Sequence, residues 1–452
     1  MGPIVPTDSR TPVESIDSTR KLILSLDGGG IRGYFSLLVL QAIMHEVGEL
    51  LPEGHLLKGT DLRPCEFFDY MAGTSTGGLI AIMLGRLNMT VEEGLEAYAT
   101  FGDDVFGHPR QAHIRRKKPH RLSRQEKYDA RKLRDAVVEL VNKHRQDSGE
   151  KFVPNGGTHS CRVMVVALRD EIHQDSPYLL RSYEHKENES DEPQDFELNP
   201  GVPDDYYIWQ VARATSAAPT YFEPMTIKSS RRAESGNESG TGGLREITQT
   251  HTFIDGAWGF NNPCCLAYRE VTQMHRDRSR DAVGLLVSIG TGFRHNHKVI
   301  TTRGRNHRAV FKMLIGAAMD YTSKEDAIER EMHALTDGDG GRRAVPWKRF
   351  QTPKVPAAQN NTSNARSILR LGRGRGEDSE PVPLGLLKLD DWRPKYLKPR
   401  SRNGRITLEF ISGRTAEYLD RQEVRDQIRE VASQLVKYKL SRSSQPSDTT
   451  AE

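Results

Sequence analysis

Hydrophobic positions in this chain gather into short continuous runs separated by longer stretches of helical period. Lys21-Leu22-Ile23-Leu24-Ser25-Leu26 is an apolar run that leads directly into Asp27-Gly28-Gly29-Gly30, which predicts a strand ending in a glycine turn. Residues 67–71, 162–168 and 283–289 are further continuous runs, and Thr252-Phe253-Ile254 is a shorter one. Runs without polar alternation suit strands covered on both faces, as in a parallel sheet. Between them a helix is expected from Tyr34 to about Leu50, and a mostly apolar one through Leu79, Ile80, Ile82, Met83 and Leu84. Leu133, Val137, Leu140 and Val141 share one helical face. Strands alternating with helices predict an α/β architecture. Near the C-terminus Leu386-Leu387-Lys388-Leu389 and Ile406-Thr407-Leu408-Glu409-Phe410 read as short strands, and Val424, Ile428, Val431 and Leu435 as one face of a helix.

Polar stretches interrupt this pattern. Residues 1–20 are polar with three prolines and read as a flexible tail, and 441–452 as a second one. Residues 184–204, 229–250 and 335–383 read as surface insertions, the last as a largely disordered linker or insertion. The expected organisation is a core domain over 21–295, a helical continuation over 296–334, and a C-terminal extension with short strands and a helix over 384–440.

Composition narrows the class. The 452 residues carry 65 Lys and Arg against 61 Asp and Glu, a formal net charge of +4, too small to imply a nucleic-acid partner. No apolar run approaches the ~18 residues of a membrane span, no signal-peptide core is seen, and Pro6 breaks the myristoylation pattern. Cys65, Cys161, Cys264 and Cys265 lack metal-ligand spacing and read as buried thiols of a cytoplasmic protein. The basic run Arg115-Arg116-Lys117-Lys118 is either a solvated loop or a docking site for anionic lipid at a membrane surface.

Candidate chemistry sits at three strand ends. Gly73-Thr74-Ser75-Thr76-Gly77 matches G-x-S-x-G between strand and helix signals, the setting of a nucleophile elbow. Asp27-Gly28-Gly29-Gly30-Ile31-Arg32-Gly33 exposes successive backbone N–H groups that could form an oxyanion hole. It also fits a dinucleotide fingerprint at Gly28, Gly30 and Gly33. That reading needs a strand ending in an acid about 20 residues on, whereas Glu46 and Glu49 lie in a helical pattern. A serine nucleophile needs a base. Neither His251, at the start of a strand pattern, nor His295 and His297, in a basic loop, is well placed, whereas Asp255-Gly256-Ala257 turns out of an apolar strand.

In this order the motifs resemble those of the patatin-like phospholipases, the patatin and calcium-independent phospholipase A2-like acyl hydrolases. Ala212-Arg213-Ala214-Thr215-Ser216-Ala217-Ala218-Pro219 resembles a further segment of that family, and the likeness covers roughly residues 20–295. The resemblance implies a three-layer α/β/α fold with a mainly parallel central sheet, and a carboxylic ester hydrolase that cleaves acyl esters of phospholipids or lysophospholipids in lipid catabolism. It implies Ser75 as nucleophile, Asp255 as base, and Gly28, Gly29 and Gly30 as the oxyanion hole of a Ser–Asp dyad that uses no cofactor or metal. Gly33, Gly73, Gly77, Gly256 and Ala257 would shape the turns, and Arg32 would either brace the glycine loop or meet a phosphate headgroup. A transacylase or triacylglycerol lipase using the same dyad, and a catalytically silent lipid-binding scaffold, are the alternatives. A cytoplasmic enzyme with peripheral membrane association follows from the same likeness.

Overall fold

The structure, a computed structural model, describes residues 17–110, 126–147, 149–154, 161–169, 176–185, 198–199, 203–234, 244–275, 282–292, 321–336, 344–352 and 404–443. Arg115, Arg116, Lys117 and Lys118, His295, His297 and the expected strand at 386–389 lie outside them. No helix among the described residues is long and apolar enough to cross a membrane.

Among the described residues the sheet has eight strands, and the long apolar runs form its middle. The run expected as a strand over 67–71 is shifted: the strand there is Tyr70–Thr74, with Phe67 and Phe68 buried just before it. Strands β1 (Lys21–Leu26), β2 (Tyr70–Thr74), β3 (Arg162–Arg169) and β7 (Val283–Ile289) lie parallel in the order β7-β1-β2-β3. Their side chains alternate between two cores. Leu22, Leu24 and Leu26 of β1 join one cluster, and Ile23 joins the other. Met71, Val163 and Val165 follow the first set, whereas Tyr70, Ala72, Met164 and Val166 follow the second. Both faces of the sheet are therefore covered, which is why these strands lack polar alternation.

One face carries α1 (Gly33–Leu50), α2 (Thr76–Ala81), α3 (Val91–Phe101), α4 (Ala130–Arg145) and α5 (Ile208–Thr215). The other carries α6 (Cys264–Met274) and α7 (Tyr321–Thr336). Short π turns at Ile82–Arg86 and Gly102–Phe106 extend α2 and α3. In α4 Leu133, Val137 and Val141 are buried and Leu140 lies at the margin. The three layers and the parallel middle of the sheet match the expected fold class.

Three segments differ from the sequence reading. The stretch 229–250 belongs largely to a long antiparallel ribbon of β5 (Met225–Glu234) and β6 (Leu244–Asp255). Its Thr and Ile residues suit an extended ribbon, while its Ser and Gly content suggested a loop. Within 335–383, β8 (Trp347–Phe350) pairs parallel with β7 and buries Phe350 fully. Ile406–Phe410 is helical, inside α8 (Arg405–Leu419), where Thr407, Ile411, Thr415 and Tyr418 face inward at helical spacing. The final helix α9 (Gln422–Ser443) buries Val424, Ile428, Val431 and Leu435, as their spacing predicted, and packs on α1.

The register around β3 positions the site. Val166 pairs with Thr74 of β2 on one side and Leu179 of β4 (Pro177–Arg181) on the other. Its neighbour Ala167 pairs with Tyr178 of β4 and with Asp255 of β6. Thus β2 and β6 share one edge of β3. β2 runs parallel to β3 and β6 antiparallel, so their C-terminal ends meet head to head between Val166 and Ala167.

Candidate active site

Ser75 is the residue that follows β2, and Asp255 is the last residue of β6, so the meeting of the two strand ends brings them together. Ser75 Oγ donates a 2.7 Å hydrogen bond to Asp255 Oδ2. Asp255 Oδ1 accepts from the N–H of Ala257 at 2.8 Å. The carboxyl is 3% exposed, and burial pushes its pKa from 3.8 up to about 7, against the pull of the bonds from Ser75 and Ala257. Desolvation penalises the charged form, and no cation among the described residues offsets it.

The elbow is tight. Ser75 has φ 55° and ψ −125°, outside the regions favoured by an L residue, a strain the surrounding backbone must hold. Gly73 and Gly77 make the turn possible by close approach. A Cβ on Gly73 would overlap the carbonyl of Gly77, and one on Gly77 would overlap the carbonyls of Leu26 and Asp27. The N–H of Ser75 donates to Thr215 Oγ1 at 2.9 Å, and Thr215 Oγ1 donates to Val166 O at 2.7 Å. The N–H of Asp255 donates to Ala217 O at 3.1 Å. Residues 215–217 therefore brace Ser75 and Asp255 together. Sequence reasoning named this segment without giving it that role.

The glycine loop lies against the elbow. Gly28 N–H donates to Asn261 O and Gly29 N–H to Thr76 Oγ1, each at 3.1 Å. Of the three glycines expected to form the oxyanion hole, two thus have their N–H groups engaged within the protein. Gly30 N–H takes part in none of the hydrogen bonds that hold the loop among the described residues, and the Gly30 carbonyl accepts from Tyr98 Oη. Arg32 is 1% exposed, and its Nη1 donates to Gly292 O at 2.7 Å, so it braces the loop. Gly33 leaves room for the Tyr98 hydroxyl, and Gly256 for the Val166 carbonyl. Asp27, which opens the loop, is held by Arg349 of β8, a partner hidden in the segment read as disordered. The only advance signal for it was the short apolar-aromatic run from Ala344 to Phe350.

Ser75 and Asp255 open onto a cavity of about 60 Å³. Its walls are mainly apolar, with Leu79, Phe101, Phe106, Tyr221 and Phe222 among them, and Gly29, Gly30 and Ser216 also line it. Among the described residues no histidine lines this cavity, and His251 is bonded to Tyr206 Oη at 2.8 Å. No cluster of His, Cys, Asp and Glu fit to hold a metal ion occurs among the described residues.

Comparison with known proteins identifies relatives of this chain. The chain is 24% identical to "Patatin-like phospholipase 1" of Plasmodium falciparum over 378 residues, covering 80% of this chain and 47% of that one. It is 27% identical to "Patatin-like protein 1" of Arabidopsis thaliana, covering 60% and 58% respectively. It is 26% identical to the mouse "85/88 kDa calcium-independent phospholipase A2", covering 60% and 27%. The chain thus spans about half or less of the length of these relatives. The family model described as Patatin-like phospholipase matches residues 24–268, just over half the chain and the whole stretch from β1 through Asp255 into α6. On that match the chain belongs to the patatin-like phospholipase family.

Proposed function

We propose that this chain is a lipid acyl hydrolase, a carboxylic ester hydrolase that cleaves fatty-acyl esters of phospholipids or lysophospholipids through a Ser75–Asp255 dyad. The observation that carries this is the 2.7 Å bond from Ser75 Oγ to a buried Asp255 at the mouth of an apolar cavity. Ser75 Oγ attacks the ester carbonyl while Asp255 takes its proton. The alcohol leaves with that proton, and water then hydrolyses the acyl-enzyme. An exposed aspartate is too weak a base for a hydroxyl. Raised to about 7, Asp255 is stronger and still substantially ionised near neutral pH. The N–H of Gly30 is the donor best placed among the three glycines to meet the developing oxyanion, a role typically worth ~10²–10³ in rate. The apolar walls suit an acyl chain, and the substrate is reached at a membrane surface.

A fluorophosphonate probe tests the reading, with product analysis over a mixed panel of phospholipids, lysophospholipids and triacylglycerols. Covalent labelling of Ser75 and release of free fatty acid are expected. An unlabelled Ser75 would favour a silent scaffold, and acyl transfer to an added alcohol in place of hydrolysis would favour a transacylase.

A further inference from the structure

Ser216 is a hydroxyl that the acylation step leaves unused. It caps the C-terminal end of α5, is 5% exposed, and lines the same cavity as Ser75 and Asp255. Its Oγ has no hydrogen-bond partner among the described residues. A buried hydroxyl without a partner costs about 1–3 kcal/mol, so such a group in a reaction cavity calls for a partner that arrives with the chemistry. Its position is fixed from both sides. Thr215, just before it, takes the N–H of Ser75, and Ala217, just after it, takes the N–H of Asp255. Ser216 thus stands between the anchor points of the nucleophile and the base.

We infer that Ser216 Oγ holds the water that hydrolyses the acyl-enzyme. This rests on the acyl-enzyme reading above. A buried water needs two to four polar partners, and this cavity offers few. Asp255 supplies one acceptor and Ser216 Oγ a second, which fixes the water with a lone pair toward the ester carbon. One water proton passes to Asp255 as the water oxygen bonds to the acyl carbon. The tetrahedral intermediate then breaks its bond to Ser75 Oγ, which takes the proton back from Asp255, and the fatty acid is released. In acylation the leaving alcohol occupies this space, so Ser216 matters mainly in the second half of the cycle. Contact with the reacting water makes it a catalytic residue.

The experiment is a rapid-mix measurement of nitrophenol release from p-nitrophenyl butyrate by the full chain, wild type against Ser216→Ala. Wild type should give a burst of about one equivalent, and acyl-Ser75 should appear in quenched samples by mass spectrometry. Ser216→Ala should keep the burst amplitude and rate. Its steady-state turnover should fall about tenfold, the loss of one hydrogen bond worth ~1.4 kcal/mol, and acyl-Ser75 should persist correspondingly longer. Labelling of Ser75 by a fluorophosphonate, which needs no deacylation, should proceed at the wild-type rate. Unchanged turnover in Ser216→Ala overturns the assignment. So does a burst or labelling rate that falls with turnover, because the defect would then lie in acylation or folding. A wild type with neither burst nor acyl-Ser75, and with Ser75 unlabelled by the fluorophosphonate, defeats the acyl-enzyme reading itself, and this assignment with it.

Discussion

Arg349 donates to both carboxylate oxygens of Asp27, at 3.0 and 2.6 Å, and so joins the last strand of the sheet to the residue that opens the glycine loop. Both side chains are buried, and Arg349 also donates to Ser288 Oγ at 2.8 Å. Removing one partner of a buried pair leaves an uncompensated charge, at a cost of about 3–5 kcal/mol. Arg349→Met should therefore lower the urea midpoint strongly, and adding Asp27→Asn should restore part of the loss. A midpoint for Arg349→Met equal to wild type would show that the pair does not hold the loop.

Ser75→Ala and Asp255→Ala should each reduce ester hydrolysis by at least about 10³-fold while thermal unfolding stays cooperative. The double variant should be little worse than either single one, because the two residues act as a unit. Rates of the three variants on one soluble ester settle this, and multiplicative losses would mean independent roles.

The pH dependence follows from the burial of Asp255. A base works ionised, so kcat/KM should rise with pH to a midpoint near 7 and level off above it, whereas an ordinary carboxylate would place the midpoint near 4. Stability runs the other way. The folded pKa lies above the unfolded value of 3.8, so this group's contribution is complete below about pH 3.8 and is lost as pH rises through 7. Asp255→Asn should match wild type near pH 4 and be more stable by a few kcal/mol at pH 8, at ~1.4 kcal/mol for each tenfold change in the protonation equilibrium. Denaturant titrations at the two pH values check the sign.

Gly77→Ala should push the start of α2 away from the end of β1, since its Cβ would overlap two backbone carbonyls that cannot rotate aside. A displacement of this kind at the elbow is expected to slow fluorophosphonate labelling of Ser75 by roughly 10²-fold. Gly413→Ala in α8, where a Cβ meets nothing within 4 Å, is the control. It should label normally and gain about 0.5–1 kcal/mol of stability from helix propensity.

Arg110 and Lys127 bracket the segment that carries the basic run, and the N–H of Arg110 donates to Lys127 O at 2.9 Å. The Lys127 ammonium lies 5.9 Å from the centre of the Tyr221 ring, part of the cavity wall, so Lys127 itself stands beside the cavity. Changing Arg115, Arg116, Lys117 and Lys118 to Glu should weaken binding to anionic vesicles, by ~1 kcal/mol per basic residue removed from the surface. Turnover of a soluble short-chain ester should be unaffected. Co-sedimentation at low and high salt measures this, and equal binding of both forms at low salt would leave the run as a solvated loop.

What the sequence made legible was whatever a local pattern can carry. The runs that became β1, β3 and β7 are apolar because both faces are covered. Gly73 is dictated by a contact one turn away, at Gly77, whereas Gly77 is dictated by the distant carbonyls of Leu26 and Asp27. Asp255 was identifiable from its turn, but its distance from Ser75 was not, because that depends on the register of two strands on a third. Arg349 escaped notice because β8 is four residues long and its short apolar-aromatic run sits within an otherwise polar stretch. Ile406 to Phe410 looked extended because five residues are too few to separate a period of two from one of 3.6. The inward row Thr407, Ile411, Thr415 and Tyr418 makes the helix plain only over its full length.

The head-to-head ends of β2 and β6 make β3 a ruler for the chemistry. Thr74 and Asp255 are set one step apart on its edge, and a step along a strand is about 3.3 Å. The spacing of Ser75 and Asp255 is thus graduated in backbone hydrogen bonds and only fine-tuned by side chains. A slip of one residue in the short pairing of 253–255 with 167–169 would turn the carboxylate to the opposite face of the sheet. Among the described residues the far end of the β5–β6 ribbon makes no pairing with β3. Changes in the length of that end leave those three residue pairs in count.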